Sequence, residues 1–281
     1  IAAGGFNRFP SQLAVTVGAS NYGGDADYHC DGTADEVEIN LAFIAAASKN
    51  NLVKLMGDFT NAAAMTIASI DNLFIDGSGA TITCTSITAI SATSCDHLTI
   101  TGLHLTATSG TKGLDLDACN FASIIQNTVT GFAISMEISN GSDSQFVGNT
   151  IDGTGATPAL SEGIYIVSGG RNTLSNNVIT TLYGTDTYGI IAESDHNRII
   201  NNLIASLSGE DTVAGIGIDA DYCMVESNRI ENNASTVWSS AGVFIVTSAT
   251  SVQFVGNSSY WNGKNLLDRY KDHHGAELQN Q

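Results

Sequence analysis

The chain is poor in charge, and in basic residues above all. Charged residues make up 14% of its 281 residues, compared with roughly a quarter in typical globular domains. Ten Lys and Arg stand against 28 Asp and Glu, which gives a formal net charge of −18. Nucleic acids and anionic membrane surfaces bind basic patches, and the basic residues here form no run. We therefore expect no nucleic-acid partner.

Long apolar runs and zinc-type cysteine motifs are also missing. No stretch of about eighteen apolar residues occurs, so we expect no membrane insertion. None of the five cysteines has CxxC spacing, so they predict no zinc site. Cys95 and Cys119 fall at equivalent positions of the repeat described next. Either a disulfide or a stack of small buried residues would account for them.

What the chain does have is an internal repeat with a period near 25 residues. Each unit begins at an apolar residue, has asparagine three residues later in most cases, and a second apolar residue two positions further on. Columns kept in step over successive units indicate a solenoid of stacked coils. Stacking brings equivalent asparagines together, so their amides can bond along the column. The predicted column contains Asn127, Asn149, Asn177, Asn202, Asn228 and Asn257.

A second strand follows in each unit, usually after a glycine. GIYI (163–166) and GIGI (215–218) are examples in which apolar residues alternate with others. Period two is the period of a strand. The units contain no helical period, which argues against a leucine-rich repeat. The sequence therefore predicts a parallel β-helix, with inward Ile, Leu and Val filling a narrow tube.

The open end of such a tube needs a cap, and the segment before the repeats can supply one. Thr33 and Glu36 have the spacing of a capping box, in which each side chain bonds the other residue's backbone N–H. We predict a helix from about Ala34 to Ser48. An apolar stripe with helical spacing gives its buried face. The stripe consists of Val37, Leu41 and Ile44.

These features divide the chain into three predicted parts. Residues 1–51 form an N-terminal segment with the capping helix, residues 52–259 form the parallel β-helix, and residues 260–281 form a tail or C-terminal cap. The tail contains His273 and His274, which we interpret as part of a polar tail and not as a metal site.

The run DGTADE, with Asp31, Gly32, Asp35 and Glu36, the helix after it and the asparagine column resemble the right-handed parallel β-helix superfamily over roughly residues 25–260. That superfamily includes pectate-lyase-like enzymes, polygalacturonases, alginate epimerases and phage tailspikes. The resemblance implies an all-β fold, a single-stranded right-handed parallel β-helix solenoid with a short N-terminal capping α-helix. It also implies a tie to polysaccharides, a place outside the cell or on a virion surface, and the homotrimers of phage relatives. The sharper enzymatic motifs of the superfamily are missing, so no single activity follows.

Stacking also turns outward residues into columns whose neighbours lie about 5 Å apart. Acidic residues share such columns in two places. Asp115 and Glu137 form the first pair. The second set is denser, because two acidic columns and a histidine lie side by side. It contains Glu193, Asp195, His196, Asp219 and Asp221.

Carboxylates this close raise the pKa of one member, which leaves one group as an acid and another as a base. Such a pair can hydrolyse a glycosidic bond. Two alternatives stay open, in which the acids bind Ca²⁺ or form a solvated surface; no other cofactor is expected. Lyase or epimerase chemistry on uronates is less favoured, since few basic residues lie on the coils. The candidate catalytic residues are Glu193, Asp219, Asp221 and Asp195.

The connections between the two strands of a unit lengthen from residue 152 onwards, and we expect them to project from one side. They carry Tyr183, Tyr188 and Trp238, while Tyr165 lies on a strand nearby. Aromatic rings beside acids and amides suit the faces and hydroxyls of sugars, although the rings could equally pack on their own loops. The four rings and His196 are the candidate substrate-binding residues.

Two functions are compatible with these patterns. The first is an extracellular or virion-associated protein that binds a polysaccharide or cell-surface glycan and hydrolyses it with carboxyl groups. The second is a non-catalytic structural or adhesive module, such as a tail appendage. The missing enzymatic motifs favour the second, and the acidic columns favour the first.

Overall fold

The computed structural model describes residues 14–154, 160–235, 239–245, 249–260, 264–267 and 278–279. Within these ranges the chain is a parallel β-solenoid, because neighbouring strands run in the same direction and come from successive coils. Leu174 pairs in register with Ile199, and Ile199 pairs with Val225. The predicted stacking of the repeat is therefore confirmed.

Three sheets form the walls of the solenoid among the described residues. The first sheet contains Val15–Gly18, Tyr28–His29, Leu52–Met56, Phe74–Asp76, Thr99–Thr101, Ser123–Ile125, Gln145–Val147, Thr173–Ser175, Arg198–Ile200, Met224–Glu226, Gln253–Val255 and Leu278–Gln279. The second sheet contains Asp58–Thr60, Met65–Ala68, Thr81–Cys84, Ile90–Thr93, His104–Asp117, Thr128–Ser139, Thr150–Asp152, Leu160–Ile166, Val178–Thr180, Asp186–Ala192, Leu203–Ala205, Thr212–Ile218, Arg229–Glu231, Ser239–Ile245, Ser258–Tyr260 and Lys264–Leu267. The third sheet contains Tyr183–Gly184, Ser208–Gly209 and Ala234–Ser235.

The second sheet turns a corner, and glycine at the corner has a steric cause. A Cβ on Gly163 would lie 2.8 Å from the Ile179 side chain and 2.3 Å from the carbonyl oxygen of Gly189. A Cβ on Gly189 would likewise lie 2.5 Å from the side chain of Ile204. Only a residue without Cβ fits, because contacts this short do not occur between real atoms. The glycine before each second strand therefore lets the chain pass the packed interior.

The longer connections at this corner are themselves paired. Tyr183–Gly184 pairs with Ser208–Gly209, which pairs with Ala234–Ser235, and together they make the third sheet. The loops that the sequence predicts to project thus stack on one another as the coils do. This ladder satisfies part of their backbone polar groups, which a free loop would leave to solvent.

The asparagine column is confirmed and lies inside the tube. Neighbouring side chains are joined by Nδ2 to Oδ1 hydrogen bonds of 2.9 to 3.2 Å. Asn202 is typical, because its Oδ1 also accepts the backbone N–H of Asn177 at 2.9 Å and its Nδ2 donates to the Leu174 carbonyl at 3.0 Å. A buried amide is costly unless its hydrogen bonds are made. The column meets that cost by bonding each amide to the coils on both sides.

The capping helix is confirmed, with bounds Glu36–Ala47, but its orientation differs from the prediction. Val37, Leu41 and Ile44 are exposed at 52%, 50% and 65%. The buried face instead contains Ile39, Phe43, Ala42 and Ala46. Its alanines let the helix approach the first coils closely while Phe43 supplies the apolar area.

The predicted capping box is wrong as well, because the helix start bonds to the coils. Asp35 is buried, and its Oδ2 accepts the N–H of Thr60 at 2.7 Å. Glu36 Oε2 accepts the N–H of Ala62 at 2.9 Å. No side chain caps the helix in the way the spacing predicted. The acids at its start therefore attach the cap to the next coil.

Candidate functional site

Two outward columns run side by side on the second sheet, one on each side of the corner glycines. Lys112, Ile134, Glu162 and Tyr188 occupy successive coils of one column. The other column contains Asp115, Glu137, Tyr165, Ile191 and Gly217. Asp115 and Glu137 are therefore in register one coil apart, as predicted. The surface around Asp115, Glu137, Glu162, Tyr165 and Glu193 is called the carboxylate face below.

Lys112 joins two carboxylates at one end of the carboxylate face. Its Nζ lies 2.7 Å from Glu137 Oε1 and 3.1 Å from Asp115 Oδ1. Burial alone would lower the pKa of Lys112, but the hydrogen bonds to Glu137 and Asp115 outweigh it, and the pKa lies above its usual value. The ammonium is thus engaged by two partners.

Glu162 is the buried acid of the carboxylate face. Its exposed fraction is 3%, and its Oε2 has no hydrogen-bond partner within the described part of the chain. Burial, together with the negative charges of Glu137 and Glu193, raises the pKa of Glu162 to about 8. The nearby Lys112 opposes the shift without cancelling it. Glu162 therefore carries a proton at neutral pH.

Two tyrosines border this acid. Tyr165 donates a hydrogen bond from its phenol to Glu193 Oε2 at 2.7 Å, which joins two successive coils. Burial and this hydrogen bond raise the pKa of Tyr165, so the phenol keeps its proton. Tyr188 occupies the next position in the column of Glu162. Its ring lies over Gly217, where an added Cβ would come within 3.1 Å of it.

An open groove of about 470 Å³ lies beside the carboxylate face. Glu193, Asp195 and His196 line one side of it, as one part of the predicted cluster. Ser168 and Arg171 line it as well, so hydroxyl, guanidinium, imidazole and carboxylate groups border one space. Such a set can hydrogen-bond several hydroxyls of a ligand at once.

The comparison with protein families supports the architecture. The family described as right-handed beta helix region matches residues 88–259, which is more than half of the chain. The chain belongs to the right-handed β-helix family. Membership fixes the handedness of the solenoid and names no activity. No curated protein matches the chain significantly.

In this right-handed β-helix, Asp195 and Asp221 have a structural task. Asp195 Oδ1 accepts the backbone N–H of Asp221 at 2.8 Å, and Asp221 Oδ1 accepts that of Thr250 at 2.6 Å. Each carboxylate thus closes a turn of the next coil. These bonds account for acids at both positions without chemistry, although Asp195 still lines the groove.

The two remaining residues of the predicted cluster are Asp219, two residues before Asp221, and His196, directly after Asp195. Asp219 is exposed and follows Glu193 by one coil, since its N–H donates to the carbonyl of Ala192 at 2.9 Å. It does not line the groove. His196 stacks on Tyr222 with ring centroids 5.0 Å apart. The predicted cluster is therefore only partly assembled into one site.

The turn that carries His196 has an unusual backbone. Arg171, His196 and Tyr222 occupy equivalent positions of successive coils and have φ of 60°, 63° and 56°. Residues other than glycine seldom adopt positive φ. Arg171 holds Asp143 of the preceding coil through two hydrogen bonds of 2.8 and 2.6 Å. The repeated conformation places these side chains in one column, of which Arg171 and His196 line the groove.

The predicted aromatic residues do not form one surface. Tyr165 and Tyr188 lie on the carboxylate face, whereas Tyr183 belongs to the third sheet and is 45% exposed. Trp238 lies outside the described residues, as do His273 and His274. Of the three predicted rings within the described residues, two lie beside the acids.

Sequence reasoning missed Glu162, although a signal was present. Glu162 immediately precedes Gly163 of GIYI, and the residues before the other corner glycines include Lys112 and Tyr188. Aligning the residue before each glycine would have placed these three side chains in one outward column. The burial that raises the pKa of Glu162 could not be predicted from the sequence pattern.

Several further predictions concern cysteines, metals and membranes. Cys95 and Cys119 are buried free thiols, so the stack of small residues is the correct alternative. Among the described residues, no group of three or more His, Cys, Asp or Glu is arranged to hold a metal ion. In the same part of the chain, no helix is long and apolar enough to cross a membrane.

Proposed function

We propose that this β-helix binds a polysaccharide along the carboxylate face and its groove and hydrolyses it with carboxyl groups. One observation carries the proposal: Glu162 is a buried, unpartnered acid located in the field of Glu137 and Glu193. A protonated carboxyl beside an exposed carboxylate is the pairing that glycoside hydrolysis requires. In keeping with its substrate, the protein would act outside the cell or on a virion surface.

The roles follow from the two environments. Glu162 gives its proton to the glycosidic oxygen as the carbon–oxygen bond breaks. Glu193 acts on the sugar carbon in one of two ways. It takes a proton from the attacking water, or it bonds to the carbon itself until a water molecule, deprotonated by the ionised Glu162, displaces it and releases the sugar. Tyr165 holds the Glu193 carboxylate through its 2.7 Å hydrogen bond. The configuration of the released sugar reports which of the two roles Glu193 takes.

Access to Glu162 involves a movement of side chains. Glu162 is 3% exposed in the free protein, so proton transfer needs a movement that opens its carboxyl group to the ligand. Tyr188 and Tyr165 are its aromatic neighbours on the face. Sugar rings stack on aromatic side chains, so a bound glycan would take the place of solvent against these two rings.

The test is release of reducing ends from neutral, aminated and acidic soluble polysaccharides. We expect release from at least one of them, with a loss of about a hundredfold or more in Glu162→Gln and in Glu193→Gln. Glu226→Gln is the matched control, because Glu226 lies on the first sheet away from the carboxylate face. Equal release by all three variants, or none by the parent protein on any polysaccharide, contradicts hydrolysis.

A non-catalytic structural or adhesive module is the second candidate. It is favoured by Asp195 and Asp221, whose carboxylates bond backbone N–H groups of the next coil. In that case the parent protein binds a glycan or another copy of itself without releasing any sugar. Side-by-side assembly, including the trimer proposed above, would show as a concentration-dependent mass in sedimentation experiments.

A further inference from the structure

We infer that the carboxylate face selects a glycan carrying positively charged amino groups, such as a polymer of amino sugars without acetyl groups. This inference rests on the proposed function and names its substrate class. It is carried by the order of the acids along the solenoid, by the pairing of the nearby cations and by the unpartnered oxygen of Glu162.

The acids are spaced along the axis of the solenoid. Asp115, Glu137, Glu162 and Glu193 belong to four successive coils and to three neighbouring outward columns. Coils stack about 4.8 Å apart, a step close to the length of one sugar ring. A linear glycan that crosses these three columns as it follows the axis would therefore pass near one of these acids on each coil.

The cations beside these acids are already engaged. Lys112 is shared by Glu137 and Asp115. Arg171 in the groove makes two hydrogen bonds to Asp143. Among the side chains described here, these two are the Lys and Arg residues of the carboxylate face and groove. An acidic glycan would thus find no unpaired cation, and the surplus of carboxylates would repel it.

Glu162 is a neutral position between two negatively charged coils, so a matching ligand carries positive charge on both sides of the bond that faces Glu162. It is neutral, and its buried Oε2 lacks a partner. Carboxylates lie on the coils before and after it, at Glu137 and Glu193. An ammonium group on one sugar would pair with exposed Glu193, and one on a sugar further along would pair at Asp115, where two carboxylates share the single cation of Lys112. The oxygen that links the sugars would accept the hydrogen bond of Glu162. Both requirements are met by one chain in one register.

The experiment measures binding of three oligosaccharides of equal length by calorimetry, with a chelator present so that Ca²⁺ cannot bridge. The probes are oligomers of glucosamine, N-acetylglucosamine and galacturonate. At low salt we expect the glucosamine oligomer to bind about tenfold more tightly than the neutral one, as two or three partly exposed ion pairs would give. This preference should fall several-fold in 0.5 M salt, which screens exposed charges.

Variants separate the site from the general negative charge of the protein. Glu193→Gln and the double change Asp115→Asn with Glu137→Gln should each reduce the preference for the amine, whereas Glu226→Gln should not. Circular dichroism melting identifies a double variant that fails to fold, and exposed Glu193 then provides the deciding measurement. An unchanged preference in Glu193→Gln overturns the inference.

The outcomes also distinguish this inference from the proposed function. Binding and cleavage of the neutral oligomer with no advantage for the amine refutes the substrate class and leaves hydrolysis standing. Tight binding of the amine without cleavage supports the substrate class and refutes hydrolysis. If no oligomer binds, the substrate class is wrong, and hydrolysis is decided by the release of reducing ends from the polysaccharides named above.

Discussion

Tyr165 and Glu193 belong to successive coils, and the phenol of one donates to the carboxylate of the other at 2.7 Å. The bond fixes an exposed carboxylate at the edge of the groove. Because a small displacement of a reacting group can lower the rate by a large factor, Tyr165→Phe should lower the hydrolysis rate about tenfold or more. Its melting temperature should change little, since Glu193 is exposed. The assay is kcat on the best substrate found.

Tyr183→Phe is the matched control for that change. Tyr183 lies on the third sheet, whereas the carboxylate face is on the second, and Tyr183 is 45% exposed. It should keep the rate of the parent protein. A fully active Tyr165→Phe would show that the hydrogen bond does not position Glu193 for the reaction.

The raised pKa of Glu162 makes stability depend on pH. Its ordinary value is 4.5 and its folded value is about 8. Between these pH values the folded protein holds a proton that the unfolded chain has lost, so stability falls as pH rises, by at most about 1.4 kcal/mol per pH unit. Above pH 8 both states are ionised at this residue and the loss becomes constant.

Glu162→Gln removes this titration. The other ionisable groups are the same in both proteins, so the difference between the two melting temperatures reports Glu162. It should move in favour of the variant from pH 5 to pH 8.5 and then level off. A difference that stays constant over this range would mean that Glu162 is ionised in the folded protein.

The pH dependence of hydrolysis follows from the same group. If Glu162 is the proton donor, activity on a neutral oligosaccharide should fall as the pH rises through about 8 in the free enzyme. The measurement is kcat/KM against pH, with folding checked at each point. Full activity at pH 9.5 would exclude Glu162 as the acid.

Substitution of two adjacent asparagines should change the free energy of unfolding by very different amounts. Asn202→Ala leaves the backbone N–H of Asn177 buried without its acceptor, so we expect a loss of about 3 kcal/mol in the free energy of unfolding. Asn201 is exposed with φ of 54°, and Asn201→Gly should change stability by less than about 1 kcal/mol. Urea unfolding of both variants makes the comparison. A loss for Asn202→Ala as small as that expected for Asn201→Gly would mean that the column contributes little.

The capping helix gives a second neighbouring pair. Phe43 is fully buried, so Phe43→Ala should cost about 3–5 kcal/mol. Ile44 is exposed at 65%, and Ile44→Ala should cost less than about 1 kcal/mol. Thermal unfolding followed by circular dichroism decides between them. A larger loss for Ile44→Ala than for Phe43→Ala would support the helix orientation that the sequence predicted.

The fold could be predicted because residues that contact each other in a solenoid lie one repeat apart in the sequence. Ile199, Ile204 and Asn202 each recur at the same step, and stacking makes recurrence equivalent to contact. The helix face could not be predicted in the same way. Both stripes of a helix of Ala, Ile, Leu, Val and Phe are apolar, and only the shape of the coil beneath selects Phe43.

The location of the acidic residues could be predicted from the sequence, but the role of each carboxylate could be predicted less well. Register placed Glu193 beside the acids of the next coil, and it paired Asp115 with Glu137. The use of Asp195 and Asp221 as backbone acceptors depends on turn geometry, which residue types alone do not give. Glu162 needed knowledge of burial, because the same residue at the surface would be an ordinary acid.

The asparagine column also gives the solenoid a direction of assembly. The backbone N–H of Asn177 is accepted by the side chain of Asn202, and that of Asn202 by Asn228, so each coil is completed by the one that follows it in the chain. A ribosome makes the chain in that same order. Every newly emerged coil therefore supplies the hydrogen-bond acceptors that the coil before it lacks. Its own backbone N–H groups then wait for the coil that emerges next.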